Sequence, residues 1–443
     1  MEPAGRGLAR TFSSFRARNY RLFFAGQVVS LVGTWTQRVA QDWLILGISD
    51  SAIALSVGIA LQSTPVLLFG VWGGLLVDRF DTRRLLLWAQ SFMGLLALVL
   101  GLLTLAGVVQ LWMVYVLAFA LGCAAVVDKP ARQSFVTELV GAGGVANAVS
   151  LNSSMNNAAR LAGPAFAGLV ITAVGVAPTF LVNAVSFLAV IAALLAMDVG
   201  AIRGELPVAR APRQIREGLS YVRRTPVLLA PIVVSLLVSL WAQNFRVILP
   251  LLTAQDLGAG PAAYGTLMSM LGVGALLGAL ACAHYARPSQ RLLLIEAGAF
   301  GVLCVVAAAG PSLAAMAALM VLVGAGNTAF NTTSNALVQL RAAPVFRGRV
   351  LALRTVLTTG TTPVGAPIIG FVCDRFGARM GLAAGGAVAV AVAVLAVRTR
   401  HLDSSPEAHP VASGRRPPAG GRRPLAAGAG DLPAPPPGQA PAG

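Results

Sequence analysis

Residues 85–127 carry no charged side chain, and neither do 51–77, 161–197, 257–286 and 297–340. A bilayer takes ~20 apolar residues per helical crossing, so the longest of these tracts are hairpins within lipid. Turn residues fall where such hairpins need them, at 107–110, 175–178 and Gly310-Pro311-Ser312. Composition agrees: the 443 residues are 56% hydrophobic and 11% charged, with a mean hydropathy of +0.77, whereas a soluble domain is about 25% charged. Continuous runs of this length satisfy their own backbone as helices, while barrel strands would alternate over about ten residues.

The reading is an all-α integral membrane protein of twelve transmembrane helices, at about 22–47, 53–77, 85–107, 111–129, 149–173, 178–197, 227–251, 263–284, 292–310, 312–335, 350–373 and 380–397. Their internal Gly and Pro are tolerated in lipid-embedded helices. The apolar region of span one starts near Leu22 and runs too long for a cleaved leader, so it is expected to act as an uncleaved insertion signal.

The formal net charge of +17 is not spread evenly. Arg6, Arg10, Arg16, Arg18 and Arg21 precede span one, Arg79, Arg83 and Arg84 follow span two, and Lys129 and Arg132 follow span four. Arg203, Arg210, Arg213, Arg216, Arg223 and Arg224 fill the central loop, Arg287 and Arg291 follow span eight, and Arg341, Arg347 and Arg349 follow span ten. The loops after spans one, three, five, seven and nine hold no arginine or lysine. By the positive-inside rule both termini are expected to be cytoplasmic, with the basic loops facing anionic lipid rather than nucleic acid; the expected location is a bacterial plasma membrane. Arg375 and Arg379, after span eleven, are the exception and read as an interface pair.

An internal repeat divides the chain. "VVSL" occurs at residues 28–31 and 233–236, and an offset of 202 lays Leu151, Gly163 and Gly168 of span five on Leu353, Gly365 and Gly370 of span eleven, and Gly122 on Gly324. Two pseudo-symmetric six-helix bundles follow, 22–197 and 227–397, after a cytoplasmic segment 1–21, joined by a cytoplasmic linker 198–226 and trailed by a Pro/Ala/Gly/Arg tail at 398–443 that is expected to be disordered.

The loop Gly74-x-x-x-Asp78-Arg79-x-x-x-Arg83-Arg84 resembles the signature loop of the major facilitator superfamily. With "FRARNYRLFFAGQ", "GTWTQRVAQDWLIL", "DKPARQSFVTELV" and "NAVSLNSSMNNAARLAGPAFAG", the chain resembles the branch containing enterobactin exporters and macrolide efflux proteins, over about 15–400. The resemblance implies the major facilitator fold and a conformational latch made by Gly74, Asp78, Arg79, Arg83, Arg84 and Asp128. In it Asp78 faces the positive N-terminal end of span eleven near Arg347, and Arg83 is placed to pair with Asp128. The alternative is that these charges only fix topology. Asp81 stands where the family has Gly. Gly163-Pro164-x-x-x-Gly168 resembles the span-five motif of facilitator antiporters and implies export in exchange for protons. Ala118 replaces the span-four Arg that the family often carries.

Proton coupling therefore needs other carriers. Arg38 and Asp42 stand at i and i+4 in an otherwise uncharged part of span one, with Arg38 expected to stabilise the Asp42 carboxylate, or else the two form a structural pair near the outer interface. Glu296 in span nine is the second candidate. Gln37 and Gln41 in span one, Asn152, Asn156 and Arg160 in span five, Gln243, Asn244 and Arg246 in span seven, and Asn327, Asn331 and Asn335 in span ten either line a central cavity or join helices by hydrogen bonds. Trp35, Trp43, Trp72, Trp112 and Trp241 read as interface anchors.

These features favour a secondary active transporter, a proton-driven antiporter exporting amphipathic small molecules such as antibiotics by alternating access. Export of one endogenous metabolite such as a siderophore, or a non-transporting membrane scaffold, is the alternative. The expected partners are a small-molecule substrate, protons and membrane lipid, with the chain a monomer. No cofactor, metal or catalytic role is expected: Cys123, Cys282, Cys304 and Cys373 stand singly, His284, His401 and His409 form no cluster, and the sole lysine, Lys129, precedes Pro130 and fits no phosphate loop.

Overall fold

The computed structural model describes residues 13–141, 144–201, 220–285, 288–343 and 346–400. Arg6, Arg10, Arg203, Arg210, Arg213, Arg216 and Arg287, most of the linker and nearly all of the tail lie outside them. Among the described residues there are helices and no β-strands: α1 (Arg18–Ser49), α2 (Ala52–Arg79), α3 (Thr82–Leu105), α4 (Leu111–Val140), α5 (Val145–Val174), α6 (Val176–Leu195), α7 (Pro226–Ala242), α8 (Phe245–Leu251), α9 (Pro261–Tyr285), α10 (Gln290–Ala308), α11 (Leu313–Arg341), α12 (Arg347–Thr359), α13 (Thr362–Phe376) and α14 (Ala378–Arg400).

Local chemistry sets the boundaries. Ser51, Asp81, Ser289 and Ser312 cap α2, α3, α10 and α11 through side-chain oxygens that accept the N–H three residues on. Asp81 thus has a local task, accepting from the Arg84 amide at 2.7 Å, which the Gly of the family pattern has no side chain to perform. Gly107 at φ +71° and Gly175 at φ +90° make the tight turns after α3 and α5.

Eleven helical stretches among the described residues are long and apolar enough to cross a membrane, Val227–Asp256 and Phe346–Phe376 each counting as one. The helix that falls short of the twelve expected spans is α1, and the reason is its inward face: Gln27, Thr36, Gln37, Gln41 and Asp42 are all buried. Two expected spans are discontinuous. Span seven breaks at Gln243–Asn244 between α7 and α8, then widens into a π-turn at Leu252–Asp256, and span eleven breaks at Gly360–Thr361 between α12 and α13. Broken helices at membrane depth occur where they line a cavity.

Glycines mark the closest helix contacts. A Cβ on Gly122 (α4) would lie 2.4 Å from the Gln62 carbonyl oxygen of α2, and one on Gly324 (α11) 2.1 Å from that of Leu271 in α9. Gly163 (α5) meets the Trp35 Cβ of α1 at 2.4 Å, and Gly365 (α13) meets the Leu240 carbonyl of α7 at 2.3 Å. Gly168 (α5) abuts Ala262 of α9, and Gly370 (α13) abuts Ser56 of α2. Each pair of repeat-related glycines therefore contacts repeat-related helices, with backbones as close as a missing side chain permits.

Arg379 has a structural partner set. Its Nη1 donates to the carbonyls of Ala308 at 3.0 Å and Gly310 at 2.8 Å, closing the C-terminal end of α10, where a cation also complements the helix dipole. Trp72 and Trp112 are exposed on the outer surface. Trp43 and Trp241 pack against the main apolar core, and Trp35 turns inward instead of anchoring an interface.

Candidate functional site

A cavity of about 300 Å³ lies between the helices. Gln37 and Arg38 of α1, Gln62 of α2, Lys129 of α4, Arg160 of α5 and Arg246 of α8 line it, as do Gln243 and Asn244 at the α7–α8 break and Thr359 and Thr362 at the α12–α13 break. Trp35, Met93, Phe187, Phe245 and Met268 supply apolar walls. Asn183 donates to the Gln37 side-chain oxygen and fixes that amide, and the Ser186 hydroxyl donates to the Asn183 side chain at 2.9 Å.

Beside the cavity sits an ion pair whose acid is buried and whose guanidinium reaches the cavity. Asp42 is wholly buried, and Arg246 binds it with two parallel bonds, Nη2 to Oδ1 at 2.6 Å and Nε to Oδ2 at 3.0 Å. The Tyr264 hydroxyl donates to Asp42 Oδ2 at 3.0 Å, and Arg246 Nη1 donates to the Gln62 side-chain oxygen at 3.1 Å. Helices α1, α2, α8 and α9 are thereby tied at one point. A carboxylate removed from water keeps its charge only when paired and hydrogen-bonded on both oxygens, and the fork of a guanidinium does this best. Arg38 does not pair with Asp42. Its guanidinium lies over the Trp35 ring at 4.5 Å from the centroid, and that of Arg160 lies 5.9 Å from the same centroid. The i, i+4 spacing put Arg38 and Asp42 on one helix, but Asp42 turns to its partner 204 residues away.

Helices converge at the end of the molecule where the Asp42 pair lies. Gly265 of α9 faces the Pro164 carbonyl of α5, where a Cβ would come within 2.3 Å, and the Ser269 hydroxyl donates to the Leu161 carbonyl at 2.9 Å. Gln255 donates to the Asp50 carboxylate at 3.4 Å across the same end. Gly163, Pro164 and Gly168 therefore serve as the α5 side of a close contact with α1 and α9.

The signature loop lies at the opposite, arginine-rich end. Asp128 accepts from Gln90 Nε2 at 2.6 Å and pairs with Arg132, not with Arg83. Arg83 Nε instead donates to the Leu194 carbonyl at 2.8 Å, capping the end of α6, because its helix α3 packs on α6 and brings that carbonyl within reach. Among the described residues Asp78 makes no hydrogen bond or ion pair, and Arg79 and Arg84 are exposed. Beside Gly74, Gly73 makes the close approach, with its Cβ position 2.0 Å from the Val126 carbonyl oxygen.

The remaining polar candidates stand outside the cavity lining. Glu296 accepts from the Thr333 hydroxyl at 3.1 Å, with its second oxygen buried and unbonded. Asn156 donates to the Asn152 carbonyl and Asn331 to the Asn327 carbonyl of their own helices, and Asn335 accepts from Arg354. Gln41 is buried beside Asp42 in sequence, its amide nitrogen unbonded. Gln62, Tyr264 and Asn183 join the site without having stood out in the sequence; each lies in a tract without charged side chains, and its capacity to bond a buried ion or amide was the available signal.

The family model for transmembrane secretion effectors matches residues 9–418. The staphyloferrin A transporter of Staphylococcus aureus is 23% identical over 361 residues, covering 81% of this chain and 90% of that protein. Macrolide efflux protein A of Streptococcus pyogenes is 22% identical over 396 residues, covering 87% and 96%. The multidrug efflux pump Tap of Mycobacterium tuberculosis is 27% identical over 425 residues, covering 91% and 100%. Among solved structures, an inward-facing bacterial homologue of the human lysosomal transporter Spinster superposes with a TM-score of 0.69 at 14% identity, covering 88% of this chain and 99% of that one. A bacterial homologue of the iron transporter ferroportin, also inward-facing, gives 0.67 at 16% identity, covering 86% and 98%.

Proposed function

Because the chain belongs to the transmembrane secretion effector family of the major facilitator superfamily, and is thus a multi-pass membrane transporter, we propose that it exports an amphipathic small molecule in exchange for protons by alternating access. Two six-helix bundles pivot about the cavity, supported by the repeat-related glycine contacts. Both termini are read as cytoplasmic in a bacterial plasma membrane, with a single chain as the working unit. On that orientation the converged end is the outer gate, and cargo enters the cavity from the cytoplasmic side.

The observation that carries the proposal is the Asp42–Arg246 pair, which joins the two halves of the repeat at the closed end. Opening that end requires separating the pair, and a bare carboxylate parted from Arg246 in this setting is unfavourable. Protonation of Asp42 from the outside removes that obstacle. When the gate closes again, Arg246 and the Tyr264 hydroxyl re-form their bonds to the carboxylate, and the proton leaves through the cavity toward the cytoplasm. Inward proton movement is thereby linked to the return step, and cargo loaded from the cytoplasmic side moves out on the other. Relatives named for a macrolide, for several drugs and for staphyloferrin A support small-molecule cargo.

The test is Asp42→Asn in inverted vesicles energised with a proton gradient. Cargo-induced proton release is expected to disappear while cargo binding persists; proton release equal to wild type removes Asp42 from the mechanism.

A further inference from the structure

Resting on the transport reading above, we infer that the cargo is an organic polyanion, bearing carboxylate or phosphate groups on an apolar frame, and not a lipophilic cation. The cavity lining contains Arg38, Lys129, Arg160 and Arg246 and no aspartate or glutamate. Arg246 is compensated by Asp42, whereas Arg38, Lys129 and Arg160 have no acidic partner among the described residues. The nearby acid Asp128 is taken by Arg132 and Gln90. Three cations thus surround one cleft without an ion-pair partner, the acids closest to it, Asp42 and Asp128, being engaged by Arg246 and Arg132.

Charged side chains inside a membrane protein are costly and persist where they face a cavity and serve function. Like charges around a cleft with low-dielectric walls focus its field and concentrate ions of the opposite sign. A cationic cargo would meet that field as repulsion. An anionic cargo supplies the missing counter-charge, and two of the cations are guanidiniums, whose forks match carboxylate and phosphate oxygens. The same two guanidiniums flank the Trp35 ring, so a planar apolar frame and its anionic groups find their partners side by side. Phe187 and Met268 extend the apolar wall. The volume of about 300 Å³ is at the lower end of the ~300–1,000 Å³ of small-molecule clefts, which admits a cargo of a few rings.

Two dyes built on one xanthene frame test the sign of the charge directly: carboxyfluorescein, a polyanion, and tetramethylrhodamine methyl ester, a cation. Binding to the purified full chain is read by fluorescence polarisation, and transport in proteoliposomes with a proton gradient. Citrate and pyrophosphate as competitors distinguish carboxylate from phosphate recognition. The expected result is anion binding at least about tenfold tighter than cation binding, weakening as salt rises. In the double variant Arg38→Gln/Arg160→Gln anion affinity should fall about tenfold or more while cation affinity rises, and Arg38→Lys/Arg160→Lys should retain most of the anion affinity. A variant that gains the cation while losing the anion is folded. Transport of the rhodamine in preference to the fluorescein, with no change in that order on neutralisation, overturns the inference and leaves the export reading standing. Failure of both dyes and of a macrolide to move under any gradient overturns the export reading, and the inference with it.

Discussion

A single methyl group placed at Gly265 should tip the balance between the two access states. The Cβ of Gly265→Ala would lie 2.3 Å from the Pro164 carbonyl oxygen and 3.1 Å from the Gly168 Cα. Ordinary contact begins near 3.4 Å, so α5 and α9 must part by about 1 Å at a junction packed like a crystal interior. Overpacking of this kind costs about 1–3 kcal/mol. If the junction exists only when this end is closed, the whole cost falls on one state and shifts the population by roughly 5–150-fold toward the opposite opening. Spin labels at Asp50 and Gln255, which are hydrogen-bonded across the closed end, report the change as a longer distance in a background without native cysteines. Gly274→Ala is the control, since its Cβ would meet the Val321 carbonyl at 1.9 Å between α9 and α11, helices of one repeat half. It should lower thermal stability and leave the distance distribution alone. A folded Gly265→Ala protein with the wild-type distribution refutes the idea that the α5–α9 junction is specific to the closed end.

Two further results are expected. Arg246→Gln leaves the Asp42 carboxylate buried without its main partner and should destabilise the detergent-solubilised protein by about 3–5 kcal/mol, whereas Arg246→Gln combined with Asp42→Asn should recover most of that loss in thermal unfolding; equal loss in both variants denies that the pair is energetically coupled. Asp81→Ala should cost about 1 kcal/mol and speed amide exchange at the start of α3, while Asp81→Gly costs only a few tenths, and the reverse order would deny the cap.

The helices and their turns were legible because apolar length and glycine are local signals. The expected turns at Gly107 and Gly175 fall at helix ends, each with positive φ, and the helix expected at 178–197 is found as Val176–Leu195. The pairing of charges was much less legible. Arg38 and Asp42 share a helix face, but a helix presents that face to whatever lies opposite, and opposite Asp42 are Arg246 and Tyr264. Arg83 was matched to Asp128 by charge, whereas a helix C-terminus offers an arginine equally good oxygens. Polar stripes proved ambiguous for the same reason: Arg160 reaches the cavity, while Asn156 turns back on the carbonyl of Asn152. The breaks at Gln243–Asn244 and Gly360–Thr361 fall at short polar runs, the second flanked by Thr358, Thr359, Thr362 and Pro363, and only the hydropathy averaged over each whole span hides them.

Arg379 carries a consequence for how the chain is assembled. Ribosomes make proteins from the N-terminus, so the carbonyls of Ala308 and Gly310, some 70 residues earlier, already exist when Arg379 emerges. An arginine at the end of the helices where arginines are rare then has backbone carbonyls, and the Asp256 carboxylate at 3.9 Å, to meet its charge. A count of loop charges registers only the position of an arginine, whereas this one is matched to carbonyls that the chain made earlier.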